Sequence, residues 1–134
     1  MRFSGFFLKV GNYKIPLKVM TIGTYKGTAN VLDLDSYRDA NGKLHREALS
    51  HLPIKAEFET KAMMTEAELD EFLGNIEKNY TNAKERKFVG TAYIPELREY
   101  ITQNMYMVTP DITPYGIVNG VLKFNSFRVA FIGY

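Results

Sequence analysis

The sequence predicts a β-rich α+β fold: a β-sandwich or partly closed barrel of about eight strands, with one helix over residues 65–80 packed on it. Three observations lead there. Residues 52–60, LPIKAEFET, alternate Leu52, Ile54, Ala56 and Phe58 with Pro53, Lys55, Glu57 and Glu59, the period of a half-buried strand. Residues 65–80, TEAELDEFLGNIEKNY, repeat apolar side chains at helical spacing. The rest of the chain is short apolar runs separated by Gly, Pro and Asn, which reads as strands and turns.

Taken in order, residues 5–10 (GFFLKV) and 13–20 (YKIPLKVM) read as two strands divided by Gly11-Asn12, with Pro16 holding the second near an edge or bulge. Residues 21–35 contain Gly23 and Gly27 and no helical period, so a loop is expected, with short pairing around Val31–Leu34. The alternating strand at 52–60 follows. In the helix, Thr65 and Glu68 form a capping box in which each satisfies a donor of the other. Acids fill its first turns and Lys78 lies near its end, matching the helix dipole. Leu69, Phe72, Leu73, Ile76 and Tyr80 share one face, the pattern of core packing against a sheet. Residues 86–94 and 99–108 read as strands, and 109–116 as a Pro/Gly connection. Residues 117–134 read as one or two long strands, with Phe127, Val129 and Phe131 alternating with Arg128, Ala130 and Ile132.

Length and composition narrow the function. The 134 residues suit a single domain, 1–134, and 46% hydrophobic residues suffice for a core. There is no cysteine, which excludes disulfides, zinc–thiolate sites and thiol nucleophiles. No apolar run approaches the roughly 20 residues that span a bilayer, so no membrane partner is expected. The first residues, MRFSGFFLKVGNYK, lack a small-residue cleavage site and read as part of the mature structure. Net charge is only +2, but it is unevenly spread. Residues 1–32 carry five bases and no acid, 33–80 carry eleven acids and six bases, and 81–134 carry six bases and four acids. Such segregation can build a basic face and an acidic face for contact with partners.

Residues 36–50, SYRDANGKLHREALS, hold the densest chemistry. A calcium loop with Gly42 at its sixth position would place Asp39 third and Asn41 fifth, but Tyr37 first and Ala48 twelfth, where carboxylates are needed. A hairpin explains the stretch better: Asn41-Gly42 suits a tight type I′ turn, leaving Arg38, Asp39, Lys43, Arg46 and Glu47 on a charged arm. These five are the candidate subunit contacts. His45 and His51 are the only histidines, and Ser50 beside His51 would face the opposite side of a strand. With no G-x-S-x-G, H-E-x-x-H or phosphate-binding glycine loop, the sequence predicts no catalytic, cofactor-binding or metal residue, and no enzyme. Nine tyrosines, nine phenylalanines and the basic first segment leave a small nucleic-acid-binding β-domain as the reading from a different class.

Read together, DSYRDANGKLHREAL, LPIKAEFET, the acidic-start helix, RKFVGTAYIPELREYITQNMYM and the aromatic final strand resemble small tail proteins of long-tailed bacteriophages and prophages, of the distal-tail or tail-tube kind encoded near the tape measure. The resemblance covers about residues 30–134, and its marks include Ser36, Arg38, Asp39, Gly42, Leu44, Arg46 and Glu47. It implies a tail-tube-like fold assembled as a hexameric ring, at the tube end or in the distal hub joining tube to tip or baseplate. The implied partners are copies of itself and the neighbouring tube, tape-measure and tip proteins, without specific nucleic acid or cofactor. The implied location is the virion tail, assembled in the host cytoplasm. A tail-completion or connector protein is the alternative within the same class.

Overall fold

The computed structural model describes residues 3–29, 33–38, 40–42, 44–48 and 53–134, with side chains for 3–29, 40–42 and 53–134. In chain order come strands β1 (Leu8–Val10), β2 (Tyr13–Lys14), a 3-10 turn (Leu17–Val19), β3 (Lys26–Ala29), β4 (Asp33–Arg38), β5 (Leu44–Ala48), β6 (Ile54–Glu59) and β7 (Met64–Thr65). Helix α1 (Glu66–Glu77) follows, then β8 (Lys87–Ile94), β9 (Glu99–Met107), β10 (Pro114–Val118), β11 (Val121–Phe124) and β12 (Arg128–Gly133).

The alternation in residues 52–60 is realised in β6, where Ile54, Ala56 and Phe58 are buried and Lys55 and Glu57 are not; Leu52 lies outside the described residues. β6 belongs to an antiparallel sheet of seven strands in the order β2-β1-β8-β9-β12-β6-β3. Every second residue of its long strands points inward: Phe88, Ala92 and Ile94 from β8, Met105 and Met107 from β9, Val129 and Phe131 from β12. The sheet curls until β3 approaches β8. A Cβ at Gly27 would overlap the carbonyl oxygen of Tyr93, and the Tyr25 hydroxyl donates to that same oxygen at 2.6 Å. A tyrosine side chain, not a backbone ladder, therefore bridges the gap of a partly closed barrel. Burial is the main cause pushing the Tyr25 phenol well above its ordinary pKa, so it remains a donor.

Helix α1 lies against the core as its apolar face predicts. Phe72 and Ile76 are buried, Leu69, Leu73 and Tyr80 pack partly, and Phe72 meets Phe58 edge-on at 6.4 Å. The Thr65–Glu68 capping box is formed in both directions. Lys61 adds an ion pair to Glu68. A three-stranded sheet, β10-β11-β7, leads into the helix through β7.

Among the described residues twelve strands stand where about eight were expected, and the differences have local causes. β3 fell in the expected 21–35 loop because its Gly27 is small for the close approach to Tyr93, which erases any apolar alternation there. Residues 117–134 divide into the end of β10, β11 and β12 because Asn119 and Gly120 take φ of 52° and 78° between the paired Val118 and Val121. That is the two-residue turn foreseen at Asn41-Gly42. At 39–43 five residues separate the paired Arg38 and Leu44, and among the described ones the positive φ, 80°, falls on Gly42. The hairpin exists there, but with a longer turn than type I′ allows.

Candidate assembly surfaces

β3 and β6 are hydrogen-bonded neighbours, paired as far as Ala29 opposite Ile54. The chain between them leaves and returns at one place. Within that excursion, among the described residues, β4 and β5 pair only with each other, as a two-stranded sheet separate from the other two. A charged hairpin therefore lies in the chain between β3 and β6. Arg38 ends β4 opposite Leu44, and Arg46 and Glu47 lie on β5, with Glu47 opposite Leu34. Asp39 and Lys43 lie outside the described residues, as do Ser50 and His51. His45 is opposite Tyr37. The backbone gathers Arg38, Arg46 and Glu47 on one hairpin.

Sheet edges form a second kind of surface. β2 is two residues long and ends in Lys14, a short charged edge that discourages strand addition. β10 is different. It pairs with β11 on one side only, and it exposes Tyr115 (59%) and Ile117 (74%), with Val121 exposed on β11. A brace fixes its start: Asn125 donates through its backbone to the Thr113 carbonyl and through its amide to the Thr113 hydroxyl, each at 3.0 Å. An apolar edge of this kind is a template for another chain. The Asn119-Gly120 dipeptide was the available signal for this hairpin.

Ile22 is the third feature missed from the sequence, at 99% exposure. Its turn is tied down: Thr21 donates to the Glu59 carbonyl at 2.9 Å, and the Glu59 N–H donates to the Thr24 hydroxyl at 3.1 Å. Beside it runs an apolar groove of about 370 Å³ walled by Phe7, Leu17, Met20, Tyr25 and Pro95.

Among the described residues Glu57 and Glu68 are the carboxylates held in ion pairs. Arg128 donates to Glu57 at 2.6 Å, and that bond leads the causes holding the Glu57 carboxyl below its ordinary value. The Lys61 hydrogen bond similarly lowers Glu68 to about 2. Among the described residues, no group of three or more His, Asp or Glu could hold a metal ion. None of their helices is long and apolar enough to cross a membrane.

The profile of a family of unknown function, DUF6711, matches residues 1–134. No curated protein matches the chain significantly. Among solved structures, a chain in the tail of an empty gene transfer agent particle, refined helically with C6 symmetry, is 16% identical with a TM-score of 0.49, covering 97% of this chain and 91% of that one. A chain in the virion of a native gene transfer agent particle gives the same figures, 16% identity and a TM-score of 0.49 at 97% and 91% coverage.

Proposed function

We propose that this chain, which belongs to the DUF6711 family of unknown function, is a structural protein of a phage-like tail: a non-enzymatic subunit of a six-membered ring at the tube end or distal hub. Its residence is then the virion, and its partners are its own copies and the adjoining tube, tape-measure and tip proteins. The observation that carries the reading is the β4–β5 hairpin, which among the described residues pairs with neither of the other sheets. A ring needs one patch to meet a different patch on the next subunit. A charged hairpin and an open β10 edge supply two unlike patches on one chain. The resemblance of residues 30–134 to small phage tail proteins supports a subunit of a ring in such a tail. The nucleic-acid reading is disfavoured, because Phe58, Phe72, Phe88, Phe127 and Phe131 are buried in the core and form no stacking platform.

The test is to replace residues 36–50 with a two-residue turn. The shortened chain is expected to keep its thermal transition, because the core strands are untouched, and to lose the ring by mass measurement and by electron microscopy of particles. A ring of unchanged mass would remove the arm from the interface.

A further inference from the structure

A hairpin of two strands is marginal in water, and a sheet needs a third strand or a helix beneath it for independent stability. Among the described residues the β4–β5 hairpin has no third strand. Its two edges differ. Between the pairs Leu34–Glu47 and Tyr37–His45, β4 advances three residues while β5 advances two, so the extra residue forms a bulge on β4. A bulged edge resists strand addition. β5, five residues from Leu44 to Ala48, is the regular edge and the one suited to a further strand.

Among the described strands that end a larger sheet, three are poor partners for it. β2 is short and charged, β3 is drawn against β8 by the Tyr25–Tyr93 bond, and β7 is two residues long and runs straight into α1. β10 remains. Its start is closed, because Pro114 has no N–H and the pairs Pro114–Phe124 and Gly116–Lys123 leave Tyr115 as an extra residue. Its end is open. Val118 and Val121 flank the two-residue turn, and the pair flanking such a turn exchanges both of its hydrogen bonds. The next residue, Ile117, therefore turns its N–H and C=O away from β11, and its side chain is 74% exposed. A backbone donor and acceptor beside a projecting apolar side chain fit an extended strand. The bonds between Thr113 and Asn125 hold this edge in place before any partner arrives.

We propose that β5 of one copy adds to the open end of β10 on the next, so that β4-β5 and β10-β11-β7 join into one sheet of five strands across the contact. Each of the two strands lacks a neighbour on one side, and among the described residues neither finds it within its own chain. Hairpin and edge are different parts of the molecule, so the contact is head-to-tail, the kind that builds a ring. Pairing β10 with β10 would instead close a two-fold dimer and leave every hairpin two-stranded. The contact rests on the ring reading and deepens it: a backbone ladder holds the copies together, and the charges of the hairpin steer their encounter.

The chain has no cysteine, so disulfide trapping tests the contact without background. One full-length preparation carries Ile117→Cys. Others carry a single change each: Leu44→Cys, His45→Cys, Arg46→Cys or Glu47→Cys on β5, and Ser36→Cys or Tyr37→Cys on β4. Ile117 is exposed and the hairpin lies outside both larger sheets, so the core is left intact. Each β4 or β5 variant is mixed with the first in sulfate, which favours apolar burial, and mildly oxidised. A disulfide needs Cα atoms within about 7 Å, and side chains alternate across a strand, so linkage is expected on alternate residues of β5, about tenfold or more above the residues between them. The β4 variants are expected to link no better than those intervening residues.

Even linkage along β5, linkage led by β4, Ile117→Cys linking chiefly to its own copies, or no linkage overturns the proposal. The failure of the ring reading looks different. If the alternating pattern appears but the ring survives replacement of residues 36–50, the contact stands and its role in the ring falls. If that replacement abolishes the ring and no alternating pattern appears, the ring stands and the hairpin docks somewhere other than β10.

Discussion

Tyr25, beside β3 at one end of a curled sheet, ties that end to β8 through one hydroxyl, so removing that oxygen tests how the curl is held. Tyr25→Phe leaves the ring stacked on Phe7 at 4.5 Å but takes the donor from the Tyr93 carbonyl. The expected loss is about 1–3 kcal/mol, the cost of a partly buried acceptor left unpaired, measurable by urea unfolding. Glu68 gives a pH signature. Its carboxyl is lowered from 4.5 to about 2, first by the Lys61 hydrogen bond. A depressed carboxylate contributes stability that is full above its unfolded value and lost as pH falls through the folded one. The loss therefore belongs between pH 4.5 and about 2. Glu68 is 42% exposed, so solvent screening limits the pair to about 0.5–1 kcal/mol. A Glu68→Gln chain should lose less stability over that interval than the parent; identical acid profiles would assign the pair no role.

At the scale of elements, legibility followed the strength of the local signal. α1 was readable because its cap, its first-turn acids and its apolar face agree, and the structure keeps these; its last turn holds no base and ends in Glu77, with Lys78 as the C-cap. β6 was readable from alternation alone. β3 and the β10–β11 hairpin were not, because Gly27 answers to a distant backbone and β10 exposes apolar residues where alternation rules expect polar ones. The arm was legible as a charged hairpin, though its turn chemistry belonged to Asn119-Gly120. Gly74 is the one residue of α1 that argues against the helix. Nothing lies within 4 Å of a Cβ added there, and its φ is not in the left-handed region. Gly74→Ala is therefore expected to stabilise the chain by about 1 kcal/mol through helix propensity and a less flexible unfolded state, raising the thermal midpoint. An unchanged or lower midpoint would mean that the space beside Gly74 is needed.

On the scale of the whole molecule, two interaction chemistries coexist and respond differently to the solvent. The charged hairpin should weaken as salt screens it. The β10 edge should not, because Tyr115 and Ile117 act by burying apolar area, which sulfate strengthens. Ile117→Lys separates assembly from folding. Ile117 is 74% exposed on an edge strand, so its replacement should change the stability of the isolated chain by no more than about 0.5 kcal/mol. Lysine on an edge strand discourages strand addition, so any assembly through β10 should fail. The expected outcome is a chain with the parent's unfolding curve and no larger species by light scattering in sulfate. If Ile117→Lys assembles as the parent does, and only high chloride dissolves the assembly, then the charged hairpin and not the apolar edge holds the copies together.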